Sequence, residues 1–231
     1  MEQRRAGDER RHFERHHFEE EMQALKNRLL NMGALVEERV HDATHALIDR
    51  RLETAERIIG SDQDVNDLQI EIDDRCLKLL ALQQPMASDL RLITSAMKIN
   101  ADLERIGDQA VNIAQRAIEL HQEPQLKPYV DLPRMAELAQ RMVKESLDAF
   151  VARDTALARA VCAEDEAVDA LKEQIFRELL TFMMSDPRTI PRALRLILIS
   201  RFMERVADHA TNIAEMVVYM VEGKMVRHTL P

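Results

Sequence analysis

The chain has 231 residues, of which 46% are hydrophobic, 32% charged and 3% aromatic, with 5 Gly, 7 Pro and no Trp. Turn formers and aromatics this scarce exclude a β-sandwich and favour long helices, with 13 Met as flexible packing residues. The net charge of -9 would repel a polyphosphate backbone, and no basic patch is gathered anywhere along the sequence, which excludes nucleic acid as a partner.

Hydrophobic periodicity and its punctuation predict an all-α fold of six helices. The first ten residues, MEQRRAGDER, read as a mobile tail, and the N-terminus has charge but no apolar core of a signal peptide. A first helix is expected over 10–50, a second over 53–83 and a third over 87–121, with Gly60-Ser61 and Gln84-Pro85 interrupting the periodicity. The three-proline stretch HQEPQLKPYVDLP, with 123–132 as linker, then separates a first bundle (11–122) from a second (133–224). Helices over 133–152, 154–184 and 189–222 complete the second bundle, and 225–231 forms a C-terminal tail. The longest apolar stretch, Met216 to Val221, is far shorter than the roughly 20 residues needed to span a bilayer, so a cytoplasmic location is expected.

The halves are an internal duplication. ADLERIGDQAVNIAQRAIEL from 101 aligns without gaps on RFMERVADHATNIAEMVVYM from 201 with 7 identities in 20. The preceding helices agree as well, because 61–72 lies on 164–175 with Val65 on Val168, Leu68 on Leu171 and Ile72 on Ile175. Each half is therefore expected to be a three-helix bundle.

The duplication repeats polar residues that packing does not require: Glu104 with Glu204, Arg105 with Arg205, Asp108 with Asp208 and Asn112 with Asn212. At about 100° per residue, Glu104, Asp108 and Asn112 share one face within about 80°, opposite Ile106, Ala110, Ile113 and Ala117. Carboxylates one turn apart repel if nothing intervenes, but can share or bridge a hard cation that prefers oxygen ligands. A second stripe of oxygen donors is supplied by Asp62 and Asn66 in the first half and by Asp165 and Asp169 in the second, so the four stripes have the makings of two metal sites. The plain alternative is a solvated acidic face tied to neighbours such as Arg105 or Lys98, which carries little energy.

Other candidates are weaker. Glu14–His17 and Glu38–His41 have the ExxH spacing of di-iron bundles, but both fall on one helix where that chemistry needs two, and His41 with His45 reads as a surface pair. His209 points about 100° away from Asp208, as an exposed side chain or a group supporting a ligand from behind. Cys76 and Cys162 have no partner base and read as small hydrophobes, and Met97, Met135, Met142, Met183, Met184, Met203 and Met216 as core filler. Arg91, Arg192 and Arg195 read as salt-bridged or solvated in preference to anion-binding. Glycines at 7, 33, 60, 107 and 223 cannot build a nucleotide-binding loop, and no catalytic triad or acid–base pair is present.

QPMASDLRLITSAMKINADLERIGDQAVNIA from Gln84 and ERVADHATNIAE from Glu204 strongly resemble the PhoU family of phosphate-uptake regulators. NMGALVEERV, SDPRTIPRAL and VEGKMVRH look like that family's landmarks in the same order, so that the resemblance covers nearly the whole chain. It implies two three-helix bundles related by a pseudo-twofold, with metal clusters of iron or zinc at paired E(D)xxxD motifs. Carried over, the ligands would be Glu104, Asp108, Glu204, Asp208, Asp62, Asp165 and Asp169, with Asn66, Asn112, Asn212 and His209 behind them. Asn66 departs from the carboxylate expected at its place, leaving the first site one anionic ligand short. All-oxygen donors fit iron, zinc, manganese or magnesium and do not choose among them.

The resemblance further implies a negative regulator, not an enzyme. It would act as a cytoplasmic adaptor between the ATPase subunit of the phosphate ABC transporter and a phosphate-sensing histidine kinase, reaching the membrane only peripherally through these partners. A homodimer is expected of such long, flat bundles, although no heptad seam places it. A carboxylate-bridged metalloenzyme working through a metal-bound water is the alternative, and it lacks an evident general base.

Overall fold

The computed structural model describes the backbone of residues 2–83 and 85–224 and the side chains of 16–82 and 85–224. The tails expected at 1–10 and 225–231, and Glu14 of the first ExxH pair, lie outside the described side chains. The elements are α1 (Glu2–Ile48), α2 (Leu52–Gly60), α3 (Asp62–Gln83), α4 (Ala87–His121), α5 (Asp131–Ala152), α6 (Thr155–Ser185), a single 3-10 turn (Pro187–Thr189) and α7 (Ile190–Glu222). Among the described residues there is no strand.

Two three-helix bundles result, the first from α1, α2–α3 and α4 and the second from α5, α6 and α7. They join through four helices, with α1 against α5 and α4 against α7, while α3 packs on α1 and α4 and α6 packs on α5 and α7. The core is a 3–4-spaced stripe on each helix. In α4 it runs through Leu92, Ile93, Ala96, Ile99, Leu103, Ile106, Ala110, Ile113 and Ala117, all at 5% exposure or less. Gly33 lies where α1 meets α5, and a Cβ there would overlap the Leu147 side chain, so a hydrogen at this position sets how closely the halves approach.

The duplication extends into backbone detail. α1 and α5 end on Arg50 and Arg153, the only non-glycine residues at positive φ among those described, at 56° and 53°. Each is followed by the same closing bond, from the amide of Arg51 to the carbonyl of Ala46 and from that of Asp154 to Ala149, both at 3.0 Å. α6 then starts on the Asp154 carboxylate, which accepts from the amides of Ala156 and Leu157. Gly223, at φ 70°, closes α7 on the Tyr219 carbonyl.

One expected helix is two. The span 53–83 breaks between Gly60 and Asp62, whereas α6 runs unbroken through the matching place. The cause lies on α1: Arg39, only 4% exposed, donates to the Ser61 carbonyl and to Asp64, and Ser61 also accepts from the Asp64 amide. A carbonyl drawn toward a guanidinium turns away from the helical i+4 amide. In the second half the residue matching Arg39 is Met142, fully buried, whose side chain has no donor to offer a carbonyl of α6.

The linker is tied down. Arg50 donates to the carbonyls of His121 and Glu123 at 2.6 and 2.9 Å, Arg192 to that of Pro124 at 2.9 Å, and Arg195 pairs with Glu119 and Glu123. Arg192 and Arg195 are thus salt-bridged, and Arg91 donates to the Met220 carbonyl. Met184, expected in the core, is 78% exposed because it lies on the outer face of α6.

Candidate metal-binding carboxylate face

The antiparallel pairing of α4 and α7 places the acidic residues. Arg91 reaches Met220, Asp102 meets His209 and Asn212, and Glu119 meets Arg195, so the two helices run side by side in opposite directions. Glu104 and Asp108 therefore lie level with Glu204 and Asp208, at the middle of the pair. Each segment keeps its acids on the side away from the core, with Ile106, Ala110, Val206 and Ala210 buried behind them.

In the first set, Asp62 from α3 stands beside Glu104 and Asp108. Partial burial, followed by repulsion from Asp108, raises the Glu104 carboxyl above the usual range; burial and then Asp62 raise Asp108. Arg105 and His209 act in the opposite sense on both. Among the described residues, no hydrogen bond or ion pair ties down Asp62, Glu104 or Asp108. Arg105 is exposed and Lys98 lies over the Tyr219 ring, 5.9 Å from its centre, so neither is the ion-pair partner expected of a solvated stripe.

The second set is more crowded. Burial, then Asp208, Asp169 and Glu204, push the Asp165 carboxyl up to about 6, and burial with Glu204 and Asp169 raises Asp208. Repulsion of this kind is what a positive group placed among the carboxylates relieves. Part of the relief is already present in Lys172, whose ammonium donates to Asp169 at 2.6 Å and to Glu204 at 2.7 Å and is itself stabilised in its charged form by those bonds. Lys172 went unnoticed in the sequence, although it stands three residues from Asp169 on the same helix. Among the described residues, no three Asp, Glu, His or Cys side chains close on one point.

The four supporting residues divide into two pairs. His209 is half-buried, and its Nδ1 lies 2.9 Å from Asp102 Oδ1, the oxygen to which Asn212 also donates at 3.2 Å. They knit α4 to α7 across the seam, so His209 is a bridging side chain and not the exposed one expected. Asn66 and Asn112 stay half-buried on their stripes. The bland readings hold for the remaining candidates: His41 stacks on His45 at 4.3 Å, and burial pushes the thiols of Cys76 and Cys162 up to about 12 and 11, leaving neither a thiolate.

This duplicated frame, with one acidic set per repeat, is matched by the family model described as the PhoU domain, twice, over residues 29–117 and 132–217. The chain belongs to the PhoU family. Each matched PhoU segment holds one carboxylate set. Curated relatives include the phosphate-specific transport system accessory protein PhoU homologs of Pseudomonas aeruginosa and Aquifex aeolicus. The first is 45% identical over 212 residues, covering 91% of this chain and 88% of the relative; the second is 44% identical over 208 residues, covering 90% and 94%. The crystal structure of PhoU from Pseudomonas aeruginosa superposes with a TM-score of 0.87 at 45% identity over 90% of this chain and 100% of that one. The phosphate transport system regulatory protein PhoU from Streptococcus pneumoniae does so at 0.85 and 33% identity, over 90% and 99%.

Proposed function

We propose that this chain is a metal-binding regulator of a phosphate-specific transport system. It acts in the cytoplasm as an adaptor between the ATPase subunit of the phosphate ABC transporter and a phosphate-sensing histidine kinase, as a homodimer that meets the membrane only through those partners. It restrains uptake and keeps the starvation response off while phosphate is plentiful. Family membership and the names of the relatives support the transport role.

The observation that carries the metal reading is the pair of level carboxylate sets, in each of which partial burial and then mutual repulsion disfavour the charged form. Their donors are all oxygen, which suits magnesium, manganese, iron or zinc, and the ammonium lodged between Asp169 and Glu204 supports a cation-holding role. Asp62, Glu104 and Asp108 would hold one ion or cluster, and Asp165, Asp169, Glu204 and Asp208 the other, after small side-chain rotations. Bound metal would relieve the repulsion and rigidify the face on which a partner docks. No helix among the described residues is long and apolar enough to cross a membrane, in keeping with docking from one side.

Two measurements test this. Elemental analysis of protein purified without added metal or chelator should find bound metal, lost in a chain carrying Glu104→Ala, Asp108→Ala, Glu204→Ala and Asp208→Ala; equal metal content in both chains would remove the metal reading. Pull-down should retain the transporter ATPase or the kinase at physiological salt, and failure with both under every phosphate condition would remove the adaptor reading.

A further inference from the structure

The repeat is broken at one position inside the acidic face. In the alignment that puts Asp62 on Asp165 and Asn66 on Asp169, Lys172 falls on Gln69. The second set thus has one more carboxylate than the first and, three residues later, one more cation. Lys172 brings its four carboxylates to a formal -3, the charge of the three in the first set.

The placement of Lys172 is specific. It rises from α6, bonds Asp169 on its own helix and crosses to Glu204 on α7, so it occupies space between two of the carboxylates that an ion would need. Its side chain is 24% exposed and that of Asp169 is 54%, which leaves the ammonium a short path to water. The positive side chains near the first set behave differently: Arg105 acts on Glu104 and Asp108 without bonding either. Arg39 is held by Ser61 and Asp64 and forms no bond to Asp62, Glu104 or Asp108. An ion arriving at the first set meets free carboxylates, and one arriving at the second must first displace an ammonium.

We propose that Lys172 is a built-in counter-ion of the second set, so that the two sets load unequally: the first takes up metal directly, and the second only when Lys172 has let go of Asp169 and Glu204. The inference rests on the metal-binding reading above. It makes the second set the one that fills in the higher range of metal concentration, because an ion binding there must also displace the tethered ammonium.

The test is titration of the full chain, stripped with chelator, with Mn²⁺, followed by calorimetry and by the electron paramagnetic resonance signal of free Mn²⁺. Wild type should fill in two phases, the tighter of which is lost in Asp108→Ala. Lys172→Gln, which installs the side chain found at the matching place in the first half, should tighten the weaker phase by roughly tenfold or more, since removing a unit charge at contact distance is worth at least that. Lys172→Arg, which keeps the charge, should leave the two phases as far apart as in wild type. A merely structural tie would show as a lower melting temperature in Lys172→Gln with no change in the weaker phase. That result, or equal filling of both sets in wild type, would overturn the inference while leaving metal binding intact. Absence of Mn²⁺ uptake by wild type and by Lys172→Gln alike would overturn both, and the unaltered Asp108→Ala baseline would identify that case.

Discussion

Asp165 is a residue whose ionisation works against the fold. Burial and then three neighbouring carboxylates raise its pKa to about 6 from an ordinary value of 3.8. The folded chain therefore holds this proton more tightly than the unfolded chain, so the contribution of Asp165 to stability is greatest at low pH and falls as pH rises from about 4 through 6. Asp165→Asn should raise the melting temperature of chelator-treated protein at pH 7, and the difference from wild type should close by about pH 4, where the native carboxyl is also neutral. With metal bound the order should reverse, since the amide is a poorer ligand. That Asp165 repeats Asp62 and Asp208 repeats Asp108 was legible in the sequence once the repeats were aligned. The approach of Asp165 to Asp208, of Lys172 to Glu204, and of His209 and Asn212 to Asp102 was not, because each joins two helices and spacing within a helix carries no information about its neighbour's register.

Among the elements, the break between α2 and α3 separates the two halves most clearly. Gly60 and Ser61 weaken the helix locally, but a glycine alone costs a helix only about 1 kcal/mol and does not end one. The break needs Arg39, which claims the Ser61 carbonyl from a helix 22 residues away in sequence. Because nothing lies within 4 Å of a Cβ placed on Gly60, Gly60→Ala should stabilise the chain by about 0.5–1 kcal/mol in chemical denaturation without closing the break. The matching residue of α6 is Ala163, inside an unbroken helix. Asp62 follows the break directly, so the arginine that holds the Ser61 carbonyl also fixes where the helix carrying Asp62 begins.

For the whole molecule, the contact of α1 with α5 and that of α4 with α7 make the two bundles one body. Gly33 governs the first contact: Gly33→Val should cost about 1–3 kcal/mol by overpacking against Leu147, read from the denaturation midpoint. Combining it with Leu147→Ala should cost less than the sum of the two single changes, the sign that they meet across the junction. The second contact sets the acidic residues of the two repeats level with one another. Each set is nevertheless built within its own bundle, from α3 and α4 or from α6 and α7, so the overpacked variant should lose stability while its metal uptake in the titration described above stays as in wild type.

The helices, their apolar stripes, the duplication and the outward acids are all written within single segments, because helical hydrogen bonds close over four residues and a 3.6-residue period marks the buried side of each segment. That is why α4 emerged at 87–121 from punctuation alone and why Glu104 and Asp108 could be assigned to the solvent side before any fold was known. Contacts between helices depend instead on how far one has slid and turned against another, a quantity fixed by the fit of many side chains at once. The ammonium between Asp169 and Glu204, the guanidinium that bends α2 away from α3, and the His209–Asp102–Asn212 seam all belong to that second kind. They make the surroundings of the two carboxylate sets unequal, and packing between the segments brings them together.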